Sequence, residues 1–319
     1  VSHDIVGIGE AMLRIWVPAG ERLEDAPSFR ISVAGAEANV AMAASRMGAR
    51  TAWLSSLPNN PLGRRAAREI ASHGVDVSGV HWVDGARMGT YYVELSVPPR
   101  PITVVYDRAD SAASLMTASD VAWDVVESAR VVHITGITPA LSASCRELSL
   151  EVARRAAAAG ALVSVDVNYR RMLWPPEDCR RVVAELARAA GLVIVTAEDA
   201  RDVFGIDGSP EDVLDGITAE TGCSRAVVTL GADGSHWRGP DGRGSAPGYS
   251  GAQVIDRIGA GDSFAAGVLL GLLSDDLAGG VRRGIAMSAL KLGIYGDQMT
   301  LAPHEVEQLL AGHDREVSR

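Results

Sequence analysis

Cysteine is nearly missing: Cys145, Cys179 and Cys223 are the only three in 319 residues, odd in number, widely spaced and without a C-x-x-C pair. That excludes a disulfide framework and a thiolate zinc site, and leaves three inert or buried thiols. Phenylalanine is as scarce, with three residues, yet 47% of the chain is hydrophobic and 22% charged. This is an ordinary globular composition, rich in Ala, Gly and Val, and disorder on a domain scale is excluded. Positive charge is in deficit, 30 Lys and Arg against 40 Asp and Glu, for a net charge of -10. No nucleic-acid partner is expected, because that affinity comes from clustered Lys and Arg; a small anion held by a few local arginines fits. Long apolar runs are also lacking. Residues 264–273 fall far short of the ~20 a membrane span needs, so no membrane partner is expected. The first thirteen residues carry Asp4 and Glu10 and no basic segment followed by an apolar core. No secretory signal is read there, and the expected location is cytoplasmic.

What is present is a strand and helix rhythm. Ile5-Val6-Gly7-Ile8-Gly9 is a short apolar run, 36–47 a small-residue helix and 51–55 a second strand, a β-α-β beginning. Apolar runs at 131–135, 162–167, 192–195 and 226–229 follow, spaced by helical segments of crossover length. The pattern predicts an α/β fold: a doubly wound, mostly parallel sheet with helices on both faces. Two stretches break the rhythm, 16–32 and 87–108, the second with strand-like runs at 90–97 and 102–106. Neither is followed by a crossover helix. They are read as one small β-sheet entered twice, a lid over the ligand edge; a pair of surface hairpins is the plainer alternative. On this division 1–15, 33–86 and 109–319 form the α/β domain and 16–32 and 87–108 the lid.

The strongest motif is Asp256-Arg257-Ile258-Gly259-Ala260-Gly261-Asp262-Ser263-Phe264, a glycine-rich turn opening onto a helix. Successive N–H groups there cradle a phosphate. Asp262 would repel that phosphate unless its charge serves the reaction, by taking a proton from an attacking hydroxyl. A helix N-cap is the structural alternative. In Ala34-Gly35-Ala36-Glu37-Ala38-Asn39 a glycine precedes a helix whose first turn can hold sugar hydroxyls. Ser164-Val165-Asp166-Val167-Asn168-Tyr169-Arg170 sets polar groups just past a strand end, where open α/β sheets bind ligands, and Thr229-Leu230-Gly231-Ala232-Asp233-Gly234 does likewise.

Together these segments resemble the ribokinase-like (PfkB) carbohydrate kinase family over essentially the whole chain. Gly259-Ala260-Gly261-Asp262 matches its most specific signature. Gly35-Ala36-Glu37-Ala38-Asn39, Tyr106-Asp107-Arg108, Gly136-Ile137-Thr138-Pro139-Ala140-Leu141 and Asp166-Val167-Asn168-Tyr169-Arg170 are similar to the 2-keto-3-deoxygluconate kinase branch. The resemblance implies ATP-dependent, magnesium-assisted phosphorylation of that sugar acid to its 6-phosphate. Asp262 would be the general base, and Gly259, Ala260 and Gly261 the anion hole. Asn168, Thr229, Gly231, Asp233 and Gly234, with Gly259 and Gly261, would touch ATP. Gly35, Ala36, Glu37, Asn39, Tyr91, Tyr106, Arg108, Ile137, Arg170 and Asp297 would surround the sugar acid. The two inserted stretches become a lid through which such kinases often form homodimers or higher homo-oligomers. Arg257 departs from the family's Thr or Pro, and Ala34 from a second Gly. The family's N-x-x-E element aligns with Thr196-Ala197-Glu198-Asp199, which assigns magnesium to Glu198 or Asp199, directly or through water.

A carboxylate is best met by a planar, permanently charged guanidinium, which Arg108 and Arg170 could supply from opposite sides. A neutral sugar such as fructose or ribose is the alternative substrate, and a non-catalytic sugar-binding regulator the alternative of another class. A nicotinamide oxidoreductase, suggested by Gly7-Ile8-Gly9, fails because Met12 stands where its third glycine belongs.

Overall fold

Largely apolar runs rich in β-branched residues suit strands covered on both faces, and these build the parallel part of the central sheet. A computed structural model of the chain describes residues 2–96, 99–249 and 251–312. Its strands are β1 (Ile5–Ile8), β2 (Met12–Val17), β3 (Arg30–Ala34), β4 (Thr51–Leu54), β5 (Ser56–Pro58), β6 (His81–Val83), β7 (Thr90–Glu94), β8 (Thr103–Asp107), β9 (Val131–Thr135), β10 (Leu162–Asp166), β11 (Leu192–Thr196), β12 (Ala226–Thr229), β13 (Ser235–Gly239) and β14 (Gly242–Ala246). Its helices are α1 (Ala36–Arg46), α2 (Pro61–Ala71), α3 (Trp123–Glu127), α4 (Ala143–Ala158), α5 (Pro176–Ala187), α6 (Ala197–Phe204), α7 (Pro210–Thr221), α8 (Ala260–Leu272), α9 (Leu277–Leu292) and α10 (Pro303–Leu310).

The large sheet has the order β14-β13-β12-β11-β10-β9-β1-β4. It is parallel from β4 to β12, and β13 and β14 add an antiparallel edge. Alternate residues face opposite layers. Val132 and Ile134 pack with Leu148, Val152 and Val182 of α4 and α5. Ile5 and Val131 pack with Val40, Leu269 and Met287 of α1, α8 and α9 on the other side. Helices α8 and α9 approach through glycines: a Cβ on Gly267 would lie 2.4 Å from Gly284 Cα. The strand order reverses between β1 and β9, and ligands of such sheets bind at the carboxyl ends beside that point.

Only Gly9, Glu10 and Ala11 separate β1 from β2, which leaves the large sheet for a second one of order β3-β2-β7-β8. β2 is parallel to β7 and antiparallel to β3, and β7 is antiparallel to β8. The small sheet therefore starts at Met12 and includes Val33 and Ala34, outside the limits 16–32 read from sequence, and 18–29 is irregular apart from turns. The cause is that Met12, Leu13 and Val33 are buried, so their burial resembles that of the main domain. The strand read as 90–97 ends at Glu94, and Val97 lies outside the described residues.

Candidate active site

Gly259 turns the chain into α8 with φ +86, and a Cβ there would sit 1.9 Å from Asp297 O, so glycine is required. Ala260 N donates back to Arg257 O at 3.3 Å and Ser263 N to Gly259 O at 3.0 Å. Among the described residues no hydrogen bond engages the Gly261 and Asp262 amides. These are the orphan donors of a helix start, aimed with the helix dipole at whatever anion approaches. Asp262 does not cap this helix, which has no side-chain cap. Its carboxylate accepts instead from Asn39 Nδ2 at 2.7 Å, at the start of α1. Burial pushes the Asp262 carboxyl up to about 7; the Asn39 hydrogen bond opposes this, and the nearby charge of Asp297 adds to it.

Asp262 faces a cavity of about 400 Å³. Gly35, Ala36 and Asn39 line it from α1, Ile137 from the end of β9, and Asn168 and Arg170 from the end of β10. Tyr91, Tyr106 and Arg108 line it from the small sheet, and Asp199, Asp297, Gly259 and Gly261 of the expected residues line it too. Tyr91 and Tyr106 stack with ring centroids 5.7 Å apart. Arg108 donates through Nε and Nη2 to Glu10, which also accepts from Ser111, and its Nη1 makes no hydrogen bond among the described residues. Asn168 adopts the left-handed φ of 40°, held by its N–H to Asp166 Oδ1 at 3.1 Å.

Beneath the cavity lies a buried polar network. Arg14 on β2 is fully buried and ion-pairs with Asp256 and Asp297, the residues that flank the glycine turn in space. Tyr91 donates its hydroxyl to Asp297 at 2.6 Å, and Lys291 on α9 donates Nζ to Asp256 O at 3.0 Å. Burial pulls the Lys291 ammonium below its ordinary range.

Four of the expected residues do not line the cavity of the ligand assigned to them. Glu37 points away from the cavity: its buried carboxylate accepts from Thr135 N, Thr135 Oγ1 and Thr138 Oγ1, and burial raises it. Glu37 and Asn39 are two apart on a helix and so face nearly opposite sides; Ala36 and Asn39, three apart, share one. Glu198 is exposed and does not line the cavity, whereas Asp199 does. Asp233 is exposed on its turn, between residues that do line a cavity. Asn168, expected at ATP, lies on the Asp262 side instead.

Sequence reading also passed over Glu10, Met12, Asp166, Thr196 and Ile258, all on the cavity wall. Asp166 carries the clearest signal, an acid at the last position of a strand that is apolar but for Ser164. Burial, then the charges of Asp262 and Asp199, push its carboxyl up to about 8.

A second cavity of about 530 Å³ adjoins the first, lined by Thr229, Gly231, Gly234 and Ala260 from the expected set and by apolar residues including Val254, Phe264, Ile285 and Leu292. Gly261 and Arg257 belong to both walls. One pocket is acid-lined and the other largely apolar, and they meet at an anion-binding helix start. Residues 2–304 match the pfkB family carbohydrate kinase profile. The chain belongs to that family. Among its relatives, the 2-dehydro-3-deoxygalactonokinase of Haloferax volcanii is 38% identical over 320 residues, covering 100% of both chains. The 2-dehydro-3-deoxygluconokinase of Bacillus subtilis is 32% identical, covering 95% of this chain and 93% of its own. The crystal structure of the 2-dehydro-3-deoxygluconokinase of Thermotoga maritima superposes with a TM-score of 0.87 at 31% identity, over 98% of this chain and 99% of that one. The enzyme is thus a sugar kinase on a ribokinase-like fold, and among the described residues no helix is long and apolar enough to cross a membrane.

Proposed function

We propose that this kinase transfers the γ-phosphoryl of ATP to a terminal hydroxyl of a 2-keto-3-deoxy sugar acid, 2-keto-3-deoxygluconate above all, giving the 6-phosphate. The observation that carries the chemistry is the Asp262 carboxyl, poised near neutrality at about 7 and set beside free helix-start amides at the junction of the two cavities. A base of that strength takes the hydroxyl proton as the amides meet the transferring group. The apolar second cavity suits adenine, and the turn at Gly231 and Gly234 the phosphates.

Arg108 and Arg170 support the acid reading. Arg170 has no carboxylate partner among the described residues and donates only to Tyr169 O. Arg108 is oriented by Glu10 with Nη1 to spare. That same Glu10 pair offsets the Arg108 charge, which favours the neutral-sugar reading as the second choice. Magnesium belongs to this account through Asp199 and the ATP phosphates, since Mg²⁺ is held by one or two carboxylates plus phosphate oxygens. When bound it neutralises charge across the phosphates.

The small sheet is the lid in this reading, and its outer face suits a second copy of the chain. Ile31, Ile15, Tyr92 and Val105 stand in one cross-strand row, with Ile31 and Val105 exposed. An ATP-consuming enzyme works where ATP is, which assigns the cytoplasm.

The test compares kcat/KM for 2-keto-3-deoxygluconate, 2-keto-3-deoxygalactonate, fructose and ribose in wild type and Arg108→Ala. The truncation should weaken the acids by ~2–5 kcal/mol, as for a lost buried charge partner, and neutral sugars much less. A wild-type preference for fructose or ribose, or an equal loss on all four, would remove the sugar-acid reading.

A further inference from the structure

Arg257 precedes the glycine turn and is one of two residues common to both cavities. The other is Gly261, whose amide opens at the start of α8. The guanidinium of Arg257 is exposed and makes no hydrogen bond or ion pair among the described residues. Its backbone is fixed all the same, because its carbonyl accepts from Ala260 N in the turn itself. A stiff base carrying an uncommitted guanidinium is suited to a ligand group that comes and goes.

Charge decides what that group is. The first cavity carries five carboxylates, Glu10, Asp166, Asp199, Asp262 and Asp297, against Arg108, Arg170 and Arg257. Arg108 is already paired with Glu10, and Arg170 lines only the sugar side. Among the described residues Arg257 is the one charged side chain on the wall of the second cavity. A polyphosphate reaching from there toward Asp262 would run against that acidic wall. The cation standing at the crossing is Arg257.

Resting on the kinase reading of the site, we propose that Arg257 is a catalytic residue that grips the γ-phosphoryl group while it transfers. The sugar hydroxyl oxygen bonds to the γ-phosphorus as its proton passes to Asp262. The bond from that phosphorus to the bridging oxygen breaks, and ADP leaves with the electron pair. Arg257 forms no covalent bond. Its planar donors meet oxygens whose charge shifts in the transition state, where a preorganised cation gains most.

The test uses the full chain with Mg²⁺ and ATP, and two variants, Arg257→Ala and Arg257→Lys. The side chain is exposed, so neither leaves a void in the core. Removing one such donor is expected to lower kcat by about 10²–10³-fold, with Lys recovering part of it as a point charge. The sugar KM should stay within about threefold, as for an interaction made mainly in the transition state. By calorimetry, a non-hydrolysable ATP analogue should lose more affinity than ADP, which lacks the γ-phosphate. A kcat within about threefold of wild type, or equal weakening of ADP and analogue, overturns the proposal. Should wild type phosphorylate none of the sugars, the kinase reading fails, while the contrast between ADP and analogue still decides whether Arg257 meets the γ-phosphate.

Discussion

Replacing Arg14 by Met should destabilise the fold far more than its sequence neighbourhood suggests. The side chain is wholly buried, and its two terminal nitrogens serve Asp256 and Asp297. Met keeps the stem and removes the charge, leaving two carboxylates without their cation. Breaking one buried pair from one side costs ~3–5 kcal/mol. Here the residual donors lower the loss: Ile258 N at 3.1 Å and Gly296 N at 3.0 Å still serve Asp256, and the Tyr91 hydroxyl still serves Asp297. A loss of about 3 kcal/mol, the low end, is therefore expected. Equilibrium urea denaturation measures it as a shift of midpoint at constant slope. Adding Asp256→Asn and Asp297→Asn should return at least half of the loss, since both uncompensated charges are then gone. A loss below about 1 kcal/mol, or no recovery in the triple variant, would refute the reasoning. Asp297 O lies against Gly259, so the same variant should also slow turnover by loosening the turn.

The Asp262 carboxyl at about 7 predicts an acid limb in kcat/KM, falling as pH drops through about 7 because the protonated base cannot accept the hydroxyl proton. Its linkage to stability has the opposite sense: the folded carboxyl holds its proton more tightly than the unfolded one, so its contribution falls as pH rises from the ordinary carboxylate range through about 7. Asp262→Asn should consequently be more stable than wild type above about pH 7 and equal to it in acid; equal stability throughout would contradict the shift. Gly259→Ala forces a Cβ to 1.9 Å from Asp297 O at a left-handed φ, and should lose at least ~10²-fold in kcat with a lowered Tm. Near-wild-type turnover and melting would contradict the turn's role.

Much of this was legible where the signal is local. The apolar runs at Val131–Thr135 and Ala226–Thr229 become strands with the bounds the sequence predicts, because β-branched residues between polar turns have little choice. Gly259, Gly261 and Asp262 are adjacent in sequence, so their joint chemistry is readable there. What escaped is long-range. Arg14 meets Asp297 across 283 residues and Arg108 meets Glu10 across 98, and neither pairing leaves a local pattern. Glu37 is a different case. Helical geometry already separates it from Asn39, but motif adjacency suggested a shared surface. The β13–β14 edge also went unread, since Ser235–Gly239 and Gly242–Ala246 hold few β-branched residues and pair through a short turn at a sheet edge.

The central claim is that Asp262 takes the proton of the sugar hydroxyl at a helix start that holds the transferring phosphoryl. Turnover of Asp262→Asn with saturating Mg-ATP and 2-keto-3-deoxygluconate tests it most directly, alongside calorimetric titration of ADP and of the sugar acid. The account predicts a variant with the native fold, nucleotide and sugar binding close to wild type, and a loss of at least ~10²-fold in kcat. A folded variant that binds both and keeps more than about a tenth of wild-type turnover would contradict it.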